Sequence, residues 1–476
     1  MDNKVIKIIF GIYIFSLPFH SSPYFTESLG SWFLNYSLIP LLALLLYLFV
    51  NSNLTQNRIF AVPIGQKNVI QYFFYFNFYS LFITIIGSFL ILNSSLIFDS
   101  STRSPEMNSF REIIRVFFTI SSFIVILLFF RTQSNLKIFF ASFFVSLLIF
   151  IFYGYLQIYL LVSCGLGGYL CDGDMTKTFF ESFSPYIDQG WQNEGRMDPY
   201  IFYVGRINLF TPEASTAAAI MLIYFLPILM GSVLSGYRIF RKNLFGFKYE
   251  SIFLFLSIPL ILFTLSTAGM FVLGILTFFF ILLSALKKDK KIFFVSSLLI
   301  LVFSSIAIYF FYVFELFSLL SYFLFKIFDF SVGSTNTRLA LFIGSFDLFL
   351  NYPLGVGFGN NQTLLTQFVP FWSFGNYEII NGIINENLPT LNLWLNILTS
   401  QGIIGFLLFI AFIKVIWDKN VNFREFDNGN LNEFKLISFL FFLISFSLLS
   451  FSQSNMVFIW FWSLLGFYAG LSNFSK

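Results

Sequence analysis

Twelve apolar runs divide this chain, at about 5–20, 33–50, 70–94, 114–130, 138–162, 214–235, 250–266, 268–286, 292–313, 391–413, 436–452 and 456–472. Most reach the about 17–25 residues that a helix needs to cross a hydrocarbon core. In lipid the backbone must satisfy its own hydrogen bonds, so runs of this length fold as helices. Only 11% of the 476 residues are charged, against about 25% in an ordinary soluble chain. Disorder is excluded, because it needs low hydrophobicity and high charge. The expected fold is an all-α polytopic membrane protein of twelve spans, one integral membrane domain over 1–476. No small-residue cleavage site follows the first run, so it reads as a retained span rather than a signal peptide.

Basic residues set the orientation, since loops on the cytoplasmic side carry the excess of Lys and Arg. With both termini inside, nineteen of the 27 Lys and Arg fall on inner segments, and every short inner loop is basic. The remaining eight, among them Arg196, Arg206 and Arg338, fall outside. Two outer loops are long, 163–213 and 314–390. Long loops held by a rigid scaffold are where function concentrates.

Several chemistries are excluded or disfavoured. The single histidine, His20, reads as an interfacial residue and cannot build a His-rich metal site. Two cysteines are too few for a cysteine-only cluster. The inner loops lack a nucleotide-binding motif, and Gly355, Gly357 and Gly359 lack the strand–turn–helix context of a dinucleotide fingerprint. Neither a metal nor another cofactor is expected, nor a nucleic-acid partner. Leu265-Ser-Thr-Ala-Gly269 reads as a tight reversal between two spans that serves close packing.

The first outer loop is acidic and aromatic, and its residues read either as a sugar-binding surface or as a solvated loop with interfacial anchors. It ends Gly205-Arg206-Ile-Asn-Leu-Phe210-Thr-Pro-Glu213-Ala-Ser215. Pro212 suits a first helical turn with Thr211 as its cap. That sets Arg206 and Glu213 at a helix N-terminus, whose amides and dipole favour an anion; an Arg–Glu ion pair fixing the loop is the plainer alternative. In the second outer loop, Asn336 or Thr337 is expected to cap a short helix over Leu339–Leu350, with Arg338 in its first turn. The turn Asn351-Tyr-Pro-Leu-Gly-Val-Gly-Phe-Gly-Asn360 is one that can fold its amides into an anion-holding nest. Two arginines at two helix starts suit a pyrophosphate. The alternative is an Arg338 paired with Asp347 or Glu378, in a purely structural loop.

Three features together resemble the O-antigen polymerase and O-antigen ligase superfamily. They are the Arg206…Phe210-Thr-Pro-Glu213-Ala-Ser215 loop end, Arg338 followed by the Pro-Leu-Gly-Val-Gly turn, and Asn392 followed by Gly402-Ile-Ile-Gly405. The similarity covers roughly 200–415. It implies a GT-C-type bundle with two large periplasmic loops in the bacterial inner membrane. It implies transfer of a glycan from undecaprenyl diphosphate, without metal or nucleotide sugar. Arg206 and Arg338 would hold the departing diphosphate, Glu213 would be the general base, and Arg196, Glu378, Asn360 and Asn392 would face the substrate. The partners implied are the lipid-linked glycan, membrane lipid and a chain-length regulator protein. The ligase branch usually shows His-Asn ahead of the Gly-x-x-Gly. This chain has Leu391-Asn392 there, which favours the polymerase branch. A flippase or other transporter is the remaining alternative. Transporters, however, usually carry repeated halves and midplane charges, and neither is visible here.

Cys164 and Cys171 flank a small outer loop, where an oxidising compartment permits a disulfide. Two free thiols are the competing reading. Peptide mass spectrometry of the native protein is expected to find the pair linked; alkylation of both cysteines would refute the bond.

Overall fold

Within the described residues the apolar runs form helices. The structure is a computed structural model and describes residues 4–19, 37–55, 66–93, 105–130, 133–164, 206–211, 214–239, 243–244, 247–287, 333–384, 388–421, 429–452 and 459–471. In chain order the helices are α1 (Lys4–Ser16), α2 (Leu38–Thr55), α3 (Lys67–Asn93), α4 (Pro105–Phe129) and α5 (Gln133–Cys164). Then come α6 (Ala214–Ser235), α7 (Tyr249–Phe263), α8 (Thr267–Leu286), α9 (Gly333–Asn351) and α10 (Asn360–Leu365). The last four are α11 (Tyr377–Ile384), α12 (Leu393–Val421), α13 (Gly429–Leu449) and α14 (Ile459–Leu471). The described residues also hold a two-residue antiparallel ladder, Asn243–Leu244 with Phe247–Lys248.

Six helices are long and apolar enough to cross a membrane: α3, α5, α6, α8, α12 and α13. Shorter apolar helices lie within α2, α4, α7 and α14. The chain is thus an all-α, multi-pass membrane protein. Of the twelve runs, 292–313 lies outside the described residues, as do His20 and Cys171.

Helix α6 is the axis of the bundle. It is apolar on every face, and a helix of that kind must be covered on all sides; each of its residues from Ala217 to Leu234 is buried. Its middle turn, Ile220–Phe225, is a π-helix, with the Leu226 amide donating to the Met221 carbonyl. Pro227 follows directly. Proline removes an amide and crowds the preceding turn, and a π-bulge is a usual place to absorb that.

Close helix contacts are made where side chains are small. A Cβ on Gly231 of α6 would lie 2.5 Å from Cβ of Ser438 on α13, and one on Gly269 of α8 would lie 2.8 Å from Cβ of Ala218. The reversal at 265–269 is therefore a packing feature: Ser266 caps α8 by accepting from the Gly269 amide at 3.2 Å, and Leu265 takes a positive φ of 46°. At the other end, the Lys287 ammonium donates to the Leu234 carbonyl at 2.5 Å and pairs with Glu433. These contacts fix directions. α6 and α8 run the same way, α13 runs against them, and the start of α12 meets the end of α13 where the Leu393 amide donates to the Ser450 carbonyl at 2.8 Å. The starts of α6, α8 and α12 therefore share one end of the bundle. Aromatic rings fill the space between helices, with Phe73 stacked on Phe123 at 4.2 Å and Phe139 on Phe467 at 4.3 Å.

Gly231→Ala forces its new methyl into Ser438 and should cost about 1–3 kcal/mol, read as a lower midpoint of thermal unfolding in detergent. Gly274→Ala, where an added Cβ meets nothing within 4 Å, should leave that midpoint unchanged.

Candidate functional site

The centre of the site is a break in α12. A 29-residue helix at about 1.5 Å per residue is long for a membrane, and it is bent at Gly402, whose φ of 66° and ψ of −170° are not helical. Only glycine adopts such a backbone without strain. The break strands polar groups. In a straight helix the Ile403 amide would bond the Thr399 carbonyl, and the Ser400 carbonyl would take the amide of residue 404.

The Pro353–Phe358 turn satisfies them. The Val356 amide donates to the Thr399 carbonyl at 3.0 Å, and the Gly357 amide to the Ser400 carbonyl at 2.7 Å. In return the Ile403 amide donates to the Pro353 carbonyl at 3.0 Å. This exchange needs bare backbones on both sides. A Cβ on Gly402 would sit 2.2 Å from the Leu354 carbonyl carbon, and one on Gly355 would sit 2.5 Å from the Gly402 nitrogen. The turn is gripped from α3 as well. The Phe358 amide donates to Thr84 Oγ1 at 3.0 Å, and Tyr79 Oη donates to the Leu354 carbonyl at 3.2 Å. A Cβ on Gly87 would fall 1.7 Å from the Val356 carbonyl oxygen.

Four amides of this turn are taken up by the protein itself and are not free to hold an anion. The amides of Gly355, Val356, Gly357 and Phe358 are all bonded within the protein, to Tyr352, Thr399, Ser400 and Thr84. Asn360 and Asn392, expected to face substrate, are both buried. The Asn360 amide nitrogen donates to the Val356 carbonyl at 2.9 Å and lies 3.3 Å from Ser88 Oγ. Asn392 Oδ1 accepts from the Leu395 amide at 3.1 Å and so caps α12. Both carboxamides hold backbone.

Arg338 is exposed. It is the sixth residue of α9, which begins at Gly333, so it stands in the second turn rather than the first. Thr337 lies inside the helix. Instead of capping a helix, its hydroxyl donates to Glu378 Oε2 at 2.7 Å and accepts from Asn376 Nδ2 at 2.9 Å. The Glu378 amide in turn donates to Asn376 Oδ1 at 2.9 Å. Glu378 is thereby tied beside Arg338 through Thr337, and the arginine makes no ion pair with Asp347 or Glu378 among the described residues. Helices α9 to α11 close over a small core of their own, including Leu341, Leu348, Leu365 and Ile379.

Arg206 belongs to a second clamp. It is half-buried, and its neighbour Ile207 donates its amide to the Phe263 carbonyl at the end of α7, at 3.2 Å. Gln157 of α5 grips the same loop, donating to Asn208 Oδ1 at 3.1 Å and accepting from the Leu209 amide at 2.9 Å. Thr211 turns its hydroxyl back to the Asn208 carbonyl at 2.7 Å. Phe210 lies on Tyr153, rings 4.2 Å apart. Glu213 and Arg196 lie outside the described residues. Both clamps sit toward the same end of the bundle, since Phe263 precedes the start of α8 and the α12 break lies nearer Leu393 than Val421.

Sequence reasoning missed the buried polar groups under the turn. The Asn361 amide nitrogen donates to Asn396 Oδ1 at 2.7 Å and to Thr399 Oγ1 at 3.2 Å. Gln401 is fully buried, with neither amide atom bonded among the described residues. A Cβ on Gly405 would lie 2.3 Å from that of Gln401. The signal was present as four amides and hydroxyls at 396–401 inside an apolar run.

The geometry defines a polytopic helical membrane protein with a glycine-clasped turn set into one end of its bundle, an exposed Arg338 on α9 and a half-buried Arg206 on a separate clamp. Residues 252–410, about a third of the chain, match the model of the O-antigen ligase family. The match takes in Arg338, the turn and the Gly-x-x-Gly, and it is consistent with a member of the O-antigen polymerase and ligase superfamily. Members of this family are glycosyl-transferring enzymes. Arg206 and Glu213 precede the matched stretch. No curated protein matches the chain.

Gly402→Ala and Gly355→Ala should each cost about 3 kcal/mol or more, from strain and overlap together, read as loss of folded protein on size exclusion. Because both break one shared contact, the double variant should cost much less than the sum. Additive losses would mean that the two glycines do not answer each other.

Proposed function

We propose that the chain is the polymerase of a lipid-linked oligosaccharide repeat unit, acting at the periplasmic face of the inner membrane with both of its termini in the cytoplasm. The growing glycan leaves undecaprenyl diphosphate as a hydroxyl of an incoming lipid-linked repeat attacks its anomeric carbon. The bond from anomeric carbon to phosphate oxygen breaks, the new glycosidic bond forms, and the hydroxyl proton passes to a base. Charge grows on the departing diphosphate. Arginine suits it, because a guanidinium stays charged and binds phosphate through two donors. Arg338, exposed on a helix whose neighbours are fixed, and Arg206, on its own clamp, take that role. Glu213 is the carboxylate proposed as base, and Arg196 and Glu378 are proposed to meet the sugar. A chain-length regulator protein is the proposed partner.

The observation that favours polymerase over ligase is Leu391. Where the ligase branch usually shows a histidine, this side chain packs on the small core of α9 to α11. A ligase, which hands the same glycan to lipid A core, is the second reading, favoured by the description of the matching family.

Deleting a polymerase should leave single-repeat glycan on lipid A, whereas deleting a ligase leaves none there. With purified protein and a defined lipid-linked repeat, Arg338→Ala and Arg206→Ala should each lower chain extension on the order of 10²–10³-fold. Lysine at either position should rescue poorly. Normal extension by either alanine variant removes that arginine from the mechanism.

A further inference from the structure

The segment Phe371–Ile384 carries apolar residues on both of its sides. Inward, Ile379 is buried and Ile383 packs on the core of α9 to α11. Outward, Phe371 is 86% exposed, Tyr377 77% and Ile384 70%, with Trp372, Phe374 and Ile380 also exposed. Glu378 is the single charged residue in the segment. Glu378 and Asn381 form a narrow polar strip on the helix Tyr377–Ile384, and the large apolar side chains exposed beside it need cover that water does not provide.

Its position says what does. On one side the segment follows α10, which is fastened to the clasp. On the other, the Leu388 amide donates to the Gln362 carbonyl at 3.1 Å, and the chain enters α12 five residues later. Counting back twenty residues from Lys414, about the length that spans a hydrocarbon core, places the membrane boundary near Trp394. The segment is therefore held at that boundary. Exposed apolar side chains also lie on α9, at Phe342, Phe346 and Leu350, and on α12, at Ile403, Leu407 and Ile410. Exposed Trp, Tyr and Phe at such a level are the composition of the membrane–water interface.

We propose that Phe371–Ile384 lies in the plane of the membrane, its outward aromatic and aliphatic side chains seated among the lipid headgroups and upper acyl chains of the host bilayer. The seating has a consequence that rests on the functional reading above. Asn376 and Glu378 of this segment hold Thr337, so the depth of the segment sets the depth of Arg338. An arginine kept at headgroup level meets a lipid-borne diphosphate where that group travels.

The test uses the full chain in lipid nanodiscs. In a Cys164→Ser, Cys171→Ser background, spin labels at positions 371, 377 and 384 should collide more with oxygen than with a water-soluble nickel chelate. A nickel preference at all three overturns the seating in favour of a solvated loop, and low collision with both overturns it in favour of a protein cover. Should that background fail to fold, the unmodified protein in nanodiscs with a diazirine in the lipid acyl chain answers the same question. Adducts within 371–384 are expected, and their absence while α3 is labelled refutes the seating. The combined variant Phe371→Ser, Tyr377→Ser, Ile384→Ser should lose chain extension at least about tenfold, by misplacing Arg338. Full extension by that variant, when the diazirine lipid labels 371–384 in the unmodified protein and no longer does so in the variant, sinks the depth-setting role alone. Failure of the unsubstituted protein to extend a lipid-linked repeat would sink the polymerase reading and leave the seating intact.

Discussion

A backbone polar group without a partner costs several kcal/mol in hydrocarbon, and the bend at Gly402 creates such groups well inside a membrane helix. The bundle supplies another piece of backbone to receive them. Three hydrogen bonds run between residues 353–357 and 399–403, in the manner of a short strand pair laid against a helix. The arrangement holds only if the chains approach within backbone contact. That requirement places Gly355 and Gly402 opposite each other and Gly87 opposite Val356. Two glycine motifs some fifty residues apart, Pro-Leu-Gly-Val-Gly and Gly-x-x-Gly, are thus the two halves of one joint.

The second glycine of the Gly-x-x-Gly has a different task. Gly405 has an ordinary helical environment, and what it leaves open is room for the Gln401 side chain. A carboxamide buried without a partner is costly, and Gly405 is what leaves room for this one. Substituting the first glycine acts on backbone geometry and substituting the second acts on a side chain, so the two should not be treated as equivalent.

Much of this was legible in advance. Apolar length identified the helices, because lipid leaves the backbone no other solution; α3, α5 and α12 follow the runs at 70–94, 138–162 and 391–413. Arg338 and the Pro–Gly turn stood out as breaks in an apolar pattern. The purpose of the turn did not. A glycine-rich turn with free amides and one with amides bonded to a distant helix have the same sequence, and the partner carbonyls at 399 and 400 lie across the fold. The same limit explains Asn360 and Asn392, which a sequence shows as polar residues in a loop and the structure shows as hydrogen-bonding backbone. It also explains the start of α9, where Thr337 is a good cap by type but is drawn sideways by Glu378 and Asn376.

These corrections sharpen the chemical argument. With the amides of Gly355, Val356, Gly357 and Phe358 bonded within the protein, the proposed stabilisation of a departing diphosphate rests on side chains. The side chains available are few. The residues nearest the joint carry neutral amides and hydroxyls, and a neutral donor is a weaker match for a diphosphate than a guanidinium. The clasp therefore acts at one remove: it is the rigid ground on which α9 stands, and α9 carries Arg338. Catalysis by electrostatic stabilisation depends on charges fixed before the reaction begins. A joint of interlocked glycines is a means of fixing a helix that neither a salt bridge nor a hydrophobic contact would match in a medium where lipid competes for every apolar surface.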